Sequence, residues 1–543
     1  MKLIIYWLKP KSGVLEMSKF TIIVCDHIHQ SGLELLKKDK EVEMLNLATL
    51  PKDTLKKELH KADVAITRSS TDVDIDFLES APKLRAIVRA GVGVDNVDIE
   101  SSSKKGVIVM NVPTANTIAA VELTCAHILN AVRRLPEANA QLKNERKWKR
   151  EDWYGTELKG KKLGIIGFGN IGGRVGKRMK AFEMEVITYD PYINATKATD
   201  LGIAYTKNFD DILACDIITI HTPKNKETIN IIDRDEITKM KEGIILINCA
   251  RGGLYNEEAL FEALQSHKIR FAGIDVFTKE PAISNKLLDL NNIYVTPHIG
   301  ANTLESQEKI AIEAAKAALE AARGSSFPNA LNLPVRENEL PHFVRGYLEL
   351  VQKMAFFAIQ MNKDEIRSIQ LEAQGEIKEH LSSLSTFALV GILNATLGDK
   401  VNYVNAPYVA KERGIEVQLE GKESQNVFKN QVKLTLLTQK GEFSVSGAVF
   451  NEDTLKIVEI NKFSLDIKPE GKMILFRNND TPGVIGFIGS ILAKHNINIA
   501  DFRLARYKKE ALAVIIVDDE VESRVLKELS NIDACISIQY AVL

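Results

Sequence analysis

LGIIGFGNIGGRVGKRMKAFEMEVITYD, residues 163–190, is the stretch on which the fold class turns. Inside it Gly167-Phe168-Gly169-Asn170-Ile171-Gly172 spells G-x-G-x-x-G, a spacing that glycines also adopt in ordinary turns. The context is more selective. The apolar run LGIIG precedes the glycines, the helical stretch GRVGKRMKAF follows them, and the next apolar run, EVITYD, ends in Asp190, 18 residues past Gly172. Strand, glycine turn, helix, strand and terminal acid in that order predict a dinucleotide-binding unit. The glycines let the backbone turn tightly and approach a pyrophosphate, whose charge meets the amides and positive end of the following helix. Asp190 would accept hydrogen bonds from the adenosine ribose hydroxyls and repel a 2′-phosphate, and its neighbours Pro191 and Tyr192 bring no cation. NAD is therefore expected over NADP.

Strand and helix patterns continue from Lys162 to about Gly300, and three apolar runs there each lead to a polar residue: IILIN to Arg251, FAGIDVF to Glu280 and NIYVT to His298. In an open parallel sheet the carboxyl ends of the strands face the ligand crevice. Oxidising a 2-hydroxy acid needs a base for the hydroxyl proton, which a His supplies, and a cation for the carboxylate, which an Arg supplies. A carboxylate paired with the imidazole would fix its tautomer, the role expected of Glu280. By position alone His221, after the run DIITI, remains a rival base.

Upstream, from Met17 to about Val112, short apolar runs (TIIVC, ADVAIT, LRAIVRA, VIVMN) alternate with polar helical segments, a rhythm that predicts another parallel sheet. Because Ser18–Val24 reads as a first strand, residues 1–16 are expected to be an extension ahead of a start at Met17. A long amphipathic helix is predicted from Thr117, and another from Asn302, with Glu305 three residues on, to a Gly324 cap. After Ser325 helical and alternating patterns mix up to about Ile467. Lys468-Pro469-Glu470-Gly471 reads as a linker, and the remainder spells β-α-β-β-α-β, the ferredoxin-like order.

The expected fold is α/β: two Rossmann-like doubly wound parallel-sheet domains, then an α+β domain and a ferredoxin-like domain. The expected boundaries are 17–115 with 302–328, 116–301, 329–467 and 472–543. Apolar residues at 45% and charged residues at 26% are ordinary for a globular protein. Lys plus Arg (71) balance Asp plus Glu (72), so neither nucleic acid nor an anionic membrane is expected as a partner. Five scattered cysteines without a C-x-x-C pair fit a reducing, cytoplasmic setting, and no metal is expected.

NCARGG (248–253), GIDVF with Glu280-Pro281 (273–281) and TPHIGANT (296–303) resemble the signature blocks of the D-isomer-specific 2-hydroxyacid dehydrogenase family. The resemblance implies that Arg251 binds substrate, Glu280 is the acidic partner, His298 exchanges the proton, and His221 lies beside the nicotinamide. It also implies cofactor contacts at Thr222, Cys249, Ala250 and Asp275, besides Asn170 and Ile171 at the pyrophosphate. RAGVGVDNVD (89–98), NVP (111–113), YGTELKGKKLGIIG (154–167) and VNYVNAP with KERGI (401–415) extend it, from Met17 onward, to the long, phosphoglycerate-oxidising branch. In that branch 329–467 would be an allosteric substrate-binding domain and 472–543 an ACT domain.

The implied reaction takes 3-phospho-D-glycerate to 3-phosphohydroxypyruvate and opens L-serine synthesis. Arg68, Ser69, Val92 and Gly93 match the substrate-side loops; Arg89 is a weaker candidate, and Arg146, Lys147, Lys149 and Arg150 read rather as a solvated charge run. Asn478, Asp480 and Asn498 match positions where related ACT domains hold an amino acid between two chains, which makes L-serine an expected effector and a homodimer or homotetramer the expected assembly. Some serine-inhibited relatives carry His and Asn in place of Asn478 and Asp480, and Val92 and Asn302 replace commoner Thr and Ser. The alternatives are a broader 2-hydroxyacid or hydroxypyruvate reductase and a NAD-sensing regulatory protein.

Overall fold

The computed structural model describes residues 19–335, 340–362, 364–424, 428–439 and 441–543; the expected extension 1–16 and start at Met17 lie outside the described residues. Near the N-terminus β1 (Phe20–Val24), β2 (Val42–Asn46), β3 (Val64–Thr67), β4 (Ala86–Arg89) and β5 (Ile108–Asn111) form an all-parallel sheet in the order β2-β1-β3-β4-β5. β3 and β5 are buried along their whole length, as the apolar runs require when helices cover both faces. This is the flavodoxin-type doubly wound order, a variant of the expected Rossmann-like sheet.

The second sheet contains β6 (Lys162–Ile166), β7 (Glu185–Tyr189), β8 (Ala204–Thr206), β9 (Ile217–Ile220), β10 (Ile244–Asn248), β11 (Ile269–Ile274) and β12 (Ile293–Val295). It is parallel throughout, in the order β12-β11-β10-β9-β6-β7-β8. From β6 the chain winds outward through β7 and β8, then crosses to β9 on the other side. That reversal opens a crevice at the carboxyl ends of β6 and β9, where such sheets bind ligands.

Two long helices tie the sheets together. Thr117–Arg133 packs on β10, β11 and β12, while Leu304–Arg323 returns to the first sheet beside helix Gln30–Lys38. The return helix begins one residue later than its acidic spacing suggests. Thr303, extended at φ −109° and ψ 154°, accepts from the Ser306 amide, whereas the Asn302 amide closes a turn onto the Ile299 carbonyl at 2.8 Å. Gly324 ends it in the left-handed region, as expected. The chain then stays on the first sheet beyond residue 328: Ala330 bridges Met110, the Leu331 amide donates to the Val109 carbonyl, and the Asn332 side chain holds Val107 and Val109.

Farther on, helices His342–Met361 and Leu381–Leu397 cover a mixed sheet of β13 (Ile366–Gln374), β14 (Glu416–Lys422), β15 (Gln431–Thr438), β16 (Glu442–Phe450), β17 (Thr454–Ile460) and β18 (Phe463–Ile467), in the order β14-β13-β15-β16-β17-β18. Segment Glu376–Leu397 is long and apolar enough to cross a membrane by length and composition. Here Leu384, Phe387, Val390 and Ile392 bury it in the core of this domain. The VNYVNAP turn joins two domains: Tyr403 packs on Phe387 and bonds Gln352, while Val404 enters the core of the first sheet.

β19 (Lys472–Asn478), β20 (Ile499–Tyr507), β21 (Glu510–Val517) and β22 (Cys535–Val542) form the last sheet, antiparallel in the ferredoxin-like order β20-β21-β19-β22, with helices Val484–Lys494 and Ser523–Ser530. Alternation divides its faces. Ile474 and Phe476 pack with Ile488, Leu492 and Leu529 of those helices, whereas Met473, Leu475, Leu512 and Val514 join the core of the preceding mixed-sheet domain. The expected linker at 468–471 thus connects two sheets that share one apolar core. Leu475→Ala should therefore cost about 2–5 kcal/mol, and hydrogen exchange should accelerate in both 340–467 and 472–543. Acceleration confined to 472–543 would contradict a shared core.

Candidate active site

The glycine turn of residues 167–172 lies at the crevice. Gly167 is left-handed at φ 88°, and a Cβ on Gly172 would stand 2.1 Å from the Gly167 carbonyl oxygen, so the third glycine lets helix Gly172–Ala181 close on the turn. A Cβ on Gly169 would meet nothing within 4 Å. No side chain caps the start of that helix; the Gly173 amide turns onto the Gly169 carbonyl at 3.2 Å, and the positive end of the helix faces the turn. Asp190 accepts from the Phe168 amide at 2.8 Å and the Tyr192 amide at 2.9 Å, which draws the end of β7 onto the turn. Nearby, the Thr222 hydroxyl is buried without a partner among the described residues. Open space at Gly169, the positive helix end and an orphaned hydroxyl fit a bound dinucleotide.

His298 Nδ1 lies 2.8 Å from Glu280 Oε2, and Glu280 Oε1 accepts from the Phe277 amide at 3.0 Å. Burial by itself would raise the Glu280 carboxyl; the bonds from His298 and Phe277 outweigh it and hold the group below its ordinary range. The ionised carboxylate can only accept, so Nδ1 carries the proton and Nε2 is left as a bare base. His298 itself adopts φ 53° in a turn gripped by Asp275. That carboxylate, 0% exposed, accepts from the Thr296 hydroxyl at 2.6 Å and the Ile299 and Gly300 amides at 2.8 and 2.9 Å. Asp275, expected to touch cofactor, is thus committed to the His298 turn.

Among the described residues the rival His221 has no carboxylate partner; its Nε2 faces Thr219 Oγ1 at 3.0 Å, and burial pushes its protonation down to about 3. Cys249 and Ala250 lead from β10 into Arg251, and burial pushes the Cys249 thiol up. Asn248 shapes this turn by donating to the Arg251 carbonyl at 2.8 Å and accepting from the Ala250 amide at 3.0 Å.

Arg251 reaches toward the first sheet, where its Nε lies 3.1 Å from Asp95 Oδ2. A Cβ on Gly93 would stand 2.4 Å from Arg251 Nη2, so glycine is what admits the guanidinium. Val92 is placed by Asn111, which donates to its carbonyl at 2.8 Å. Buried Asp26 organises the Arg68 loop, accepting from the Arg68 amide and, at 2.8 Å, from the Thr71 hydroxyl; Ser69 is exposed there. Arg89, the weaker sequence candidate, belongs to the same cluster. Burial, then the positive charges of Arg251 and Arg68, lower its protonation to about 10 despite Asp95 and Asp26, and its Nε is buried without a partner. Arg146, Lys147, Lys149 and Arg150 are exposed, with Lys147 paired to Glu145 at 2.8 Å. Asp95 and Asn248 lie inside the family-like blocks 89–98 and 248–253 without standing out by residue type, and Asp26 carries no sequence signal; their contacts alone single out all three.

In the last sheet Asn478 Oδ1 accepts from the Asp480 amide at 2.9 Å, Asp480 pairs with Arg506 at 3.0 Å, and the Asn478 side-chain nitrogen is buried without a partner. Asn498 donates to Asp518 at 2.6 Å. The registers Asn478↔Ala511 and Ile499↔Val517 put Asn498 at the opposite end of the sheet. A single chain does not bring the three effector candidates together.

The chain matches the family models for the D-isomer specific 2-hydroxyacid dehydrogenase NAD binding domain at 125–300, the D-3-phosphoglycerate dehydrogenase intervening domain at 343–461 and the ACT domain at 472–534. It is 36% identical to a D-3-phosphoglycerate dehydrogenase of Bacillus subtilis (strain 168) over 524 residues, 96% of this chain and 99% of that one. A D-3-phosphoglycerate dehydrogenase of Methanocaldococcus jannaschii is 37% identical over 94% of this chain and 97% of its own. Among solved structures, Aquifex aeolicus D-lactate dehydrogenase complexed with NAD and lactic acid aligns with a TM-score of 0.50 at 29% identity, covering 56% of this chain and 96% of that one. Staphylococcus aureus NAD-dependent formate dehydrogenase in complex with NAD gives 0.52 at 28% identity, covering 57% and 98%.

The glycines predict separable effects. Gly169→Ala should keep the parent melting temperature while weakening NADH binding at least ~10-fold, about 1.4 kcal/mol; Gly172→Ala should lose about 1–3 kcal/mol of stability through overpacking. Melting curves and NADH fluorescence titrations read the two effects, and undiminished NADH affinity in Gly169→Ala would mean that no ligand approaches that backbone.

Proposed function

Because the chain belongs to the D-3-phosphoglycerate dehydrogenase family, we propose that it oxidises 3-phospho-D-glycerate to 3-phosphohydroxypyruvate with NAD, supplying the first step of L-serine synthesis. The observation that carries the phosphorylated substrate is the meeting of Arg68, Arg89 and Arg251. Arg89 Nη1 and Arg251 Nη2 both close on the 91–93 loop, 1.7 and 2.4 Å from where a Cβ on Gly91 and on Gly93 would stand; burial first, then the charges of Arg251 and Arg68, depress Arg89, and such a cluster suits an anion with more than one negative group.

Arg251 holds the substrate carboxylate through its planar guanidinium, leaving Asp95 as it does so. Arg68 and Arg89 take the phosphate, with the Ser69 hydroxyl and the Val92–Gly93 backbone lining the same side. NAD bound at the glycine turn supplies the acceptor for the hydride from C2. His298 takes the hydroxyl proton at Nε2 as the carbonyl forms, and Glu280 stabilises the resulting imidazolium through Nδ1–H. One C–H bond and one O–H bond break; the hydride and the proton leave to different acceptors, so the balance closes.

L-serine as effector and pairing into a homodimer or homotetramer belong to the same proposal. The separation of Asn498 from Asn478 and Asp480 supports it, since a second chain can complete what one leaves divided. Free cysteines at all five positions support a reducing cytoplasm.

His298→Ala should lower kcat by about 10²–10⁴-fold, with NADH formation from 3-phosphoglycerate as the assay; near-parental turnover would remove His298 from the chemistry. Arg89→Leu should lose one charge-assisted contact worth about 1.5–3 kcal/mol, or ~10–100-fold in kcat/KM on 3-phosphoglycerate, with much less effect on D-glycerate. Equal losses on both substrates would place Arg89 away from the phosphate.

A further inference from the structure

Below the turn that carries His298 lies a second histidine that this chemistry does not use. His127 is 3% exposed on helix Thr117–Arg133, where the helix crosses β10, β11 and β12. Its Nε2 is 3.1 Å from Thr296 Oγ1, and that hydroxyl is 2.6 Å from Asp275 Oδ1. A threonine hydroxyl has one proton and an ionised carboxylate only accepts, so Thr296 donates to Asp275 and accepts from His127. The imidazole is thereby the Nε2–H tautomer. Among the described residues its Nδ1 is buried without a partner, a position better suited to a lone pair than to an orphaned N–H. A Cβ on Gly273 would come within 2.9 Å of that nitrogen, so glycine in β11 makes room for the ring just before Asp275. Burial lowers the protonation of His127 to about 4, which agrees with a neutral ring.

We propose that His127 is a positioning residue for the hydroxyacid oxidation: by donating to Thr296 it fixes the hydroxyl on Asp275 and so holds the 296–300 turn that presents His298. The inference rests on His298 as the proton acceptor. It acts at a distance from substrate, through Thr296, Asp275 and the backbone amides that Asp275 grips.

His127→Leu removes the donor at comparable bulk, and His127→Gln offers a side-chain N–H in its place. In the full-length enzyme with NAD, His127→Leu should lower kcat by up to about 100-fold, the cost of a ~1 Å misplacement, with little change in KM for NAD, and His127→Gln should recover part of the loss. Parental kcat in a folded His127→Leu protein, or equal kcat losses in both variants, would overturn the proposal. Imidazole nitrogen NMR gives a readout independent of turnover: a neutral Nε2–H signal for His127, constant from neutral pH to about one unit above its low titration point, is expected, and an Nδ1–H or imidazolium signal would sink the idea. Absence of NADH formation from 3-phosphoglycerate by the parent enzyme would instead reject the substrate assignment and leave the tautomer result to judge His127.

Discussion

A carboxylate shut away from water must have its charge met by donors, and for Asp275 those donors are the Thr296 hydroxyl and the amides of Ile299 and Gly300. An unpaired buried carboxylate would cost several kcal/mol, so the turn between β12 and the return helix has little freedom to open. The same turn gives His298 its left-handed backbone and aims the ring at Glu280. Burial of one acid thus fixes the geometry of a base that is itself exposed.

The proposed recognition of substrate rests on a second convergence. β10 delivers Arg251 and the first sheet delivers Arg68 and Arg89, so the cationic cluster exists only when the two sheets face each other across the cleft. Asp95 occupies Arg251 there, a contact that a substrate carboxylate can replace. At the other end of the chain, Met473, Leu475, Leu512 and Val514 fill the core of the domain before them, while Val404 of that domain fills the core of the first sheet. A change at the terminal sheet therefore has a packed route toward the first sheet. Rigid cores transmit displacement poorly as gradual strain and better as a shift between discrete arrangements.

Much of this was legible in the order of residues. The G-x-G-x-x-G turn with Asp190, the strand alternation and the terminal β-α-β-β-α-β pattern are local and repeat at short range, and the parallel and ferredoxin-like sheets follow from them. The choice between His221 and His298 was open by spacing, because both follow strands; the carboxylate beside one and the enclosure of the other depend on how loops fold back. The helix start at Thr303, where Asn302 was expected, turned on which amide an Ile299 carbonyl captured. The docking of Ala330–Asn332 on β5 lies past the expected boundary for a similar reason, since edge pairing joins residues far apart in the chain.

Sequence by itself determined the strands, the glycine turn, the preference for NAD and the identity of Arg251, Glu280 and His298 as candidates, because each depends on residue type and local spacing. Only the tertiary structure decided that Arg89 joins Arg68 and Arg251, that Asp275 serves the His298 turn, and that Asn498 stands apart from Asn478 and Asp480. Those outcomes are set by which distant groups burial forces together, and burial is a property of the packed chain.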